Sequence, residues 1–345
     1  MSRRALSLLL ACLLALGLSL TAAVARVPYV ALGPGPTYNT LGEVEGTPVL
    51  SVEGRRSFPA DGHLDLTTVG VQPQLTLAQA LRGWFARDLA VVPREIVFPA
   101  GRSNEQIDEE NAAAMKASQG DAVRAAARQL GLSVARVEVD DLAPDSPARG
   151  RLQVGDILTA VDGTKVRDAA ELRALISERQ PGTAVRVAYT REGRADETEI
   201  VTRTAGEEGA RRAVIGVVTK ETPIDVPFDV TIALADVGGP SAGLMFTLGI
   251  LEKLGPESLT GGRYIAGTGE IAADGSVGPI GGISQKLIAA RRQGAEVFLV
   301  PAANCAEAVG NPPAGLTLVK VGTLAQALTG LEAVRRGTAP VTCAA

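Results

Sequence analysis

Apolar residues run without a single charge from Ala5 to Ala25 (ALSLLLACLLALGLSLTAAVA), behind the basic start Met1-Ser-Arg-Arg. Such a run matches the ~20 residues that an α-helix needs to cross a bilayer. Arg3 and Arg4 on its leading side predict a cytoplasmic N-terminus, with everything after Arg26 on the far side. Ala23-Val-Ala25 also fits a small-x-small cleavage site. The length of the run favours a retained anchor, hence a single-pass plasma-membrane protein with a stub and anchor over 1–26.

Past the anchor the periodicity changes repeatedly. VPYVALGPGPTYNTLG is extended and turn-rich, HLDLTTVGV alternates like a strand, and LTLAQALRGWFARDL has helical spacing. The polar helical stretch SNEQIDEENAAAMKASQGDAVRAAARQLG follows, and its charges read as a solvated face. Residues 27–125 are expected to pack on the C-terminal domain. From 126 to 204 the punctuation is sharper. SVARVEV reads as a strand, Asp162-Gly163 joins two short strands, DAAELRALISERQ is an amphipathic helix, and Pro181-Gly182 stops it before AVRVAYTREG. From 205 to 338 strands (RAVIGVVTKE, FDVTIAL, RYIAGTGEI, AEVFLVP, LTLVKV) alternate with helices (ISQKLIAARRQG, LAQALTGLEAVRR), the pattern of a mixed α/β domain. Residues 339–345 form a tail. The fold class is therefore α+β.

Composition narrows the chemistry. With 34 basic against 38 acidic residues the net charge is −4, and a nucleic-acid partner, which calls for a basic patch or stripe, is not expected. His63 is the only histidine, so a Ser-His-Asp site would have to recruit it from far away. The cysteines are Cys12, Cys305 and Cys343, with no CxxC pair, and a zinc site has too few ligands. Cys305 and Cys343 either pair near the C-terminus or stay as separate thiols. A phosphate loop of the form G-x-x-x-x-G-K-[ST] is absent, so no nucleotide is expected, and neither a metal nor any other cofactor.

One serine, Ser241, sits where the glycine-rich turn of DVGGPSAGLMFTLGILEKL becomes a helix. Gly238-Gly239-Pro240 clears side chains from around its hydroxyl. The unpaired N–H groups at the helix start make a ready oxyanion site. Serine is equally a preferred N-cap, and both readings stand on this stretch alone. A nucleophile also needs a base, and with histidine so scarce the candidates are lysine or carboxylate. Lys286 falls in the first turn of a helix, beside Ile283, Leu287 and Ile288, where the helix terminus and burial both disfavour its charge.

Two resemblances add to this reading. Ser146-Pro147-Ala148, LQVGDIL, AVDG and the PG-x-x-V-x-V strand resemble a PDZ domain of the bacterial protease type, over about eighty residues. Such a module takes a peptide as an added strand and holds its carboxylate in a turn of backbone N–H groups. The resemblance implies that this turn lies at Leu130, Gly131, Leu132 and Ser133, which otherwise merely end a helix. GGPSAG, AGTGEI, GSVGPIGG, QKLIAA and VFLVP follow one another as in the Lon proteolytic domain, over roughly 120 residues. With the anchor and the PDZ unit, the chain resembles the membrane-anchored, PDZ-containing Lon-like proteases.

That resemblance implies Ser241 as nucleophile, Lys286 as base and Thr268 as the residue that holds the lysine amine. It departs at Gly238, where ATP-dependent Lon enzymes usually carry an acid, and Asp236 cannot be assumed to replace it. Glu270 belongs to the motif without an assigned step. The implied activity is an ATP-independent serine endopeptidase acting on unfolded or extended protein segments, with the PDZ unit recruiting or gating substrate and a ring-like homo-oligomer as an option. The alternatives are an inactive PDZ adaptor with a protease-like domain, and a Ser-Lys hydrolase of another substrate class.

Overall fold

The computed structural model describes residues 3–206, 211–234 and 237–344, with side chains at the N-terminus described from Leu10 onward. The chain divides into two compact units, one made of residues 1–123 with 230–345 and the other of 124–229.

The first unit begins with α1 (Arg3–Val24), helical along the apolar run. Among the described residues no helix is long and apolar enough to cross a membrane. This overturns the expected transmembrane anchor and the single-pass plasma-membrane localisation drawn from it.

After α1 come β1 (Tyr29–Asn39), β2 (His63–Gln72), α2 (Leu77–Phe85), β3 (Ala90–Pro93) and the long helix α3 (Asn104–Gln129). Thr76 caps α2 through a complete capping box with Gln79, the reciprocal arrangement that satisfies two orphan donors at once.

The second unit follows as β4 (Ala135–Leu142), β5 (Ile157–Val161), α4 (Ala169–Ser177), β6 (Ala184–Arg191), β7 (Arg194–Val201) and β8 (Val217–Pro223). Its sheet runs β7-β6-β5-β4-β8, all antiparallel. Alternate residues of these strands (Val137, Val139, Val185, Val187) meet Leu172 and Ile176 of α4 in one core, as period-2 and period-3.6 patterns require. The closing strand β8 lies beyond the expected boundary at 204, because Val217–Pro223 pairs back on β4.

The chain then returns to the first unit with α5 (Gly243–Leu254), β9 (Tyr264–Gly267), α6 (Ile283–Arg292), β10 (Val297–Pro301), β11 (Thr317–Val321) and α7 (Leu324–Arg335). The sheet order is β11-β10-β9-β2-β1-β3. β2, β9, β10 and β11 run parallel, and β1 and β3 join antiparallel. Half of this sheet thus comes from the N-terminal region. Every residue of α5 from Gly243 to Glu252 is buried, which explains why its sequence is apolar all round. Ile283, Leu287 and Ala290, on one stripe of α6, pack with Ala266, Phe298 and Val300 of the strands. Cys305 and Cys343 form a disulfide, resolving that open alternative. The segment it holds lies along β11, with N–H bonds from Lys320 to Val341 O (3.0 Å) and from Cys343 to Leu318 O (3.0 Å).

Candidate active site

Three elements bring the chemistry together. The turn before α5 presents Ser241, the end of β9 presents Thr268, and the first turn of α6 presents Lys286. Lys286 Nζ stands 2.8 Å from Ser241 Oγ and 2.9 Å from Thr268 Oγ1. Thr268 Oγ1 in turn donates to the Ser241 carbonyl at 2.9 Å, and the Gly269 N–H donates to the same oxygen at 2.8 Å. Thr268 therefore touches both the amine and the main chain of the serine.

Ser241 is not a helix cap. The N-cap of α5 is Ala242, with no side-chain capping bond, and the serine hydroxyl is engaged with the lysine instead. That corrects the capping alternative.

The position of Lys286 follows from the loop ahead of α6. Asn304 Nδ2 donates to the Ile280 carbonyl and Asn304 Oδ1 accepts the Ile280 N–H, both at 2.9 Å, clamping the loop two residues before Gly282. Gly282 then adopts φ 69°, and a Cβ there would lie 2.7 Å from Val69 Cγ2. Only glycine meets both conditions without strain. The helix that starts here carries Lys286 inward to 3% exposure. Burial disfavours the ammonium form and lowers its pKa to about 8.

The Ser241 hydroxyl and the lysine open onto a cleft of about 350 Å³. Its walls include Pro36 and Tyr38 of β1 and Thr67 and Val69 of β2, together with Gly238 and Gly281. Sequence reading missed the wall residues on β1 and β2. The alternation in HLDLTTVGV marks a strand but not the neighbour it will have.

The turn residues Gly238, Gly239 and Pro240 surround the serine, yet they are not equivalent as oxyanion donors. The Gly239 N–H is spent on the Asn111 carbonyl at 3.0 Å, and proline has no N–H. The Ser241 N–H has no acceptor among the described residues. Asp236 lies outside the described residues. Glu270 is exposed at a short hairpin, paired across from Gly278. His63 stacks on Tyr264 at 4.2 Å with Nδ1 3.4 Å from Asp65 Oδ1, and it is not among the residues around Ser241. Among the described residues, no group of three His, Cys, Asp or Glu side chains is placed to hold a metal.

In the second unit a groove of about 530 Å³ runs between α4 and the start of β8. Leu172 and Ile176 line one side, Ile215 and Val217 the other, with Arg173 and Arg212 at its margins. β8 is an edge strand of the sheet. Leu130, Gly131, Leu132 and Ser133 are not among the walls of this groove. Leu130, Gly131 and Leu132 spend their N–H groups closing α3, on the carbonyls of Ala126, Arg128 and Ala127. This is a helix C-cap, which spends three of the four N–H groups expected at the carboxylate turn.

The serine, lysine and threonine all lie in one matched region. Residues 223–329 match the Lon protease (S16) C-terminal proteolytic domain. Residues 108–202 match a PDZ domain. A Lon protease of Roseiflexus castenholzii is 31% identical over 108 residues, covering 28% of this chain and 13% of its own length. A Lon protease of Rickettsia bellii is 33% identical over 107 residues, covering 30% of this chain and 14% of its own. The chain thus spans only 13–14% of the length of these curated relatives. A solved PDZ domain of an SdrC-like protein from Listeria monocytogenes is 24% identical, covering 24% of this chain and 86% of its own, with a TM-score of 0.23. Regions similar to a PDZ domain and to a Lon-type proteolytic domain thus occur in one chain.

Proposed function

We propose that the chain is a serine endopeptidase that cleaves extended or unfolded protein segments with a Ser241–Lys286 dyad and without nucleotide. The carrying observation is the buried amine 2.8 Å from the serine oxygen, with a pKa of about 8. A lysine that titrates there is substantially neutral near physiological pH and acts as a general base. The neutral amine takes the Oγ proton as Oγ attacks the peptide carbonyl. Thr268 accepts a hydrogen bond from the amine and orients it. The carbonyl oxygen becomes an oxyanion, for which the Ser241 N–H is an uncommitted donor. The ammonium then returns its proton to the leaving amine, giving the acyl-enzyme. Water repeats the cycle in reverse order, with Lys286 taking its proton. No step calls for a metal or a phosphate.

The groove beside α4 fits the substrate-recruiting role. An extended chain end adds to the free edge of β8 and sets apolar side chains against Leu172 and Ile176. The test is cleavage of an unfolded protein by the full chain, with products mapped as peptides. Ser241→Ala and Lys286→Ala are expected to lose activity by at least 10³-fold, as for other nucleophile–base pairs. The wild-type kcat/KM is expected to rise with pH through a midpoint near 8. Equal cleavage by wild type and both variants would sink the dyad. A midpoint above 10 would remove the neutral-base step.

A further inference from the structure

The polar helix α3 touches the nucleophile turn at two levels and α5 at a third. The Asn111 carbonyl accepts the Gly239 N–H at 3.0 Å. One face further along, Ser118 Oγ donates to the Pro240 carbonyl at 2.9 Å. Beyond that, the Ala122 carbonyl accepts from Thr247 Oγ1 at 3.4 Å. Spacings of seven and four keep all three on one side of a helix. Ser118 is only 4% exposed although it lies in a polar stretch. The facing residue is Gly243, where a Cβ would come within 2.7 Å of the Ser118 hydroxyl. The contact is close enough that α5 admits no side chain at that position.

The Ser118 bond has a consequence beyond packing. The Pro240 carbonyl and the Ser241 N–H are the two ends of one planar peptide group, and in a trans peptide they point to opposite sides. Fixing the direction of the carbonyl fixes the direction of the N–H. A hydrogen bond received at the carbonyl also polarises the peptide, strengthening its N–H as a donor. With Gly239 committed to Asn111 and Pro240 lacking a donor, the Ser241 N–H is, with that of Gly238, one of the turn's two remaining candidates for stabilising an oxyanion.

We propose that Ser118 is a positioning residue for the hydrolytic reaction, aiming the Ser241 N–H at the oxyanion by holding the far end of the same peptide plane. This rests on the Ser241–Lys286 reading above. Ser118 touches neither Lys286 nor the serine hydroxyl, so its effect belongs to transition-state stabilisation and not to the titration of the base.

The experiment compares full-length wild type, Ser118→Ala and Ser118→Thr for peptide cleavage and for the rate of Ser241 labelling by a fluorophosphonate. Removing an oxyanion donor outright costs about 10²–10³-fold in kcat, and misaiming one is expected to cost Ser118→Ala about 10-fold. KM should stay within about twofold and the pH midpoint near 8 should not move. Ser118→Thr, which keeps the hydroxyl, should recover most of the rate. Wild-type kcat in Ser118→Ala overturns the proposal while leaving the dyad standing. So does a loss that appears mainly in KM, or one that threonine does not repair. Absence of both cleavage and labelling in the wild type overturns the dyad reading, and this proposal with it. If Ser118→Ala shows no cooperative thermal transition, Ser118→Cys is measured instead. It keeps a side chain at the site but weakens the donor, and the same rate loss is expected.

Discussion

A lysine that is 3% exposed and surrounded by apolar side chains carries a cost in the folded state that is absent from the unfolded chain. Its pKa falls from the ordinary lysine value of roughly 10.4 to about 8. The sign of the pH dependence follows. Between the two values the unfolded chain holds a proton that the folded chain lacks, so stability rises with pH across that window. Below about 8 both states are protonated and the burial penalty is fully present. Lys286→Met should therefore stabilise the fold at pH 7 by about 2 kcal/mol, the pK difference at 1.4 kcal/mol per unit less the hydrogen bonds lost. The gain should shrink towards pH 10. Urea unfolding at the two pH values checks this, and a less stable variant at pH 7 would mean that the bonds to Ser241 and Thr268 outweigh burial. At this scale the sequence was informative about Ser241, Lys286 and Thr268, because glycine-rich turns and a scarcity of histidine are local facts. It was silent on Ser118. Serine in a polar stretch looks solvated, and only the approach of α5 makes it a donor to the Pro240 carbonyl.

Helices and turns were legible where their signals are strong. The amphipathic stripe of α4 and the all-apolar α5 both emerge as read. The charges of α3 do form a solvated face, with Glu105, Asp108, Glu109, Glu110 and Lys116 exposed, but the buried stripe of Met115, Ser118, Ala122, Ala125 and Ala126 behind them went unread. Its buried stripe is made mostly of alanine and serine, which carry little hydrophobic signal for a pattern to reveal. The start of α6 is the most constrained of these elements, because Gly282 joins a left-handed backbone to a close approach by Val69. Gly282→Ala should cost about 1–2 kcal/mol for the backbone alone, with more from the clash. It should also lower kcat by shifting Lys286 from Ser241. A thermal scan paired with the peptidase assay tests both, and an unchanged kcat in a destabilised variant would separate the turn from the chemistry.

At the scale of the molecule, the sheet around the cleft joins strands that are far apart in sequence. Leu64 of β2 pairs in register with Ile265 of β9, and the Cys305–Cys343 disulfide closes a separation of 38 residues. Removing a bridge over such a loop typically costs about 2–4 kcal/mol. Cys343→Ser is expected to lose that much in denaturant unfolding. It should also lose protection from hydrogen exchange at Leu318–Lys320, where the C-terminal segment pairs. Unchanged exchange there would show that the pairing stands without the bridge.

The sequence by itself pointed to Ser241 and Lys286 as candidate reacting groups, to a PDZ-like stretch ahead of a Lon-like one, and to the direction in which burial would move the lysine. Those depend on residue type, short spacings and local period, which survive without coordinates. Tertiary structure alone decided that Ser241 is not a cap and that Leu130–Leu132 close a helix. It alone placed β1 and β2 in the wall of the cleft, Ser118 behind the nucleophile, and no membrane-crossing helix among the described residues. Each of these turns on where a backbone N–H or carbonyl finds its partner, or on which side chains a helix presents to its surroundings. Pairing of that kind joins positions whose separation along the chain carries no trace of the contact.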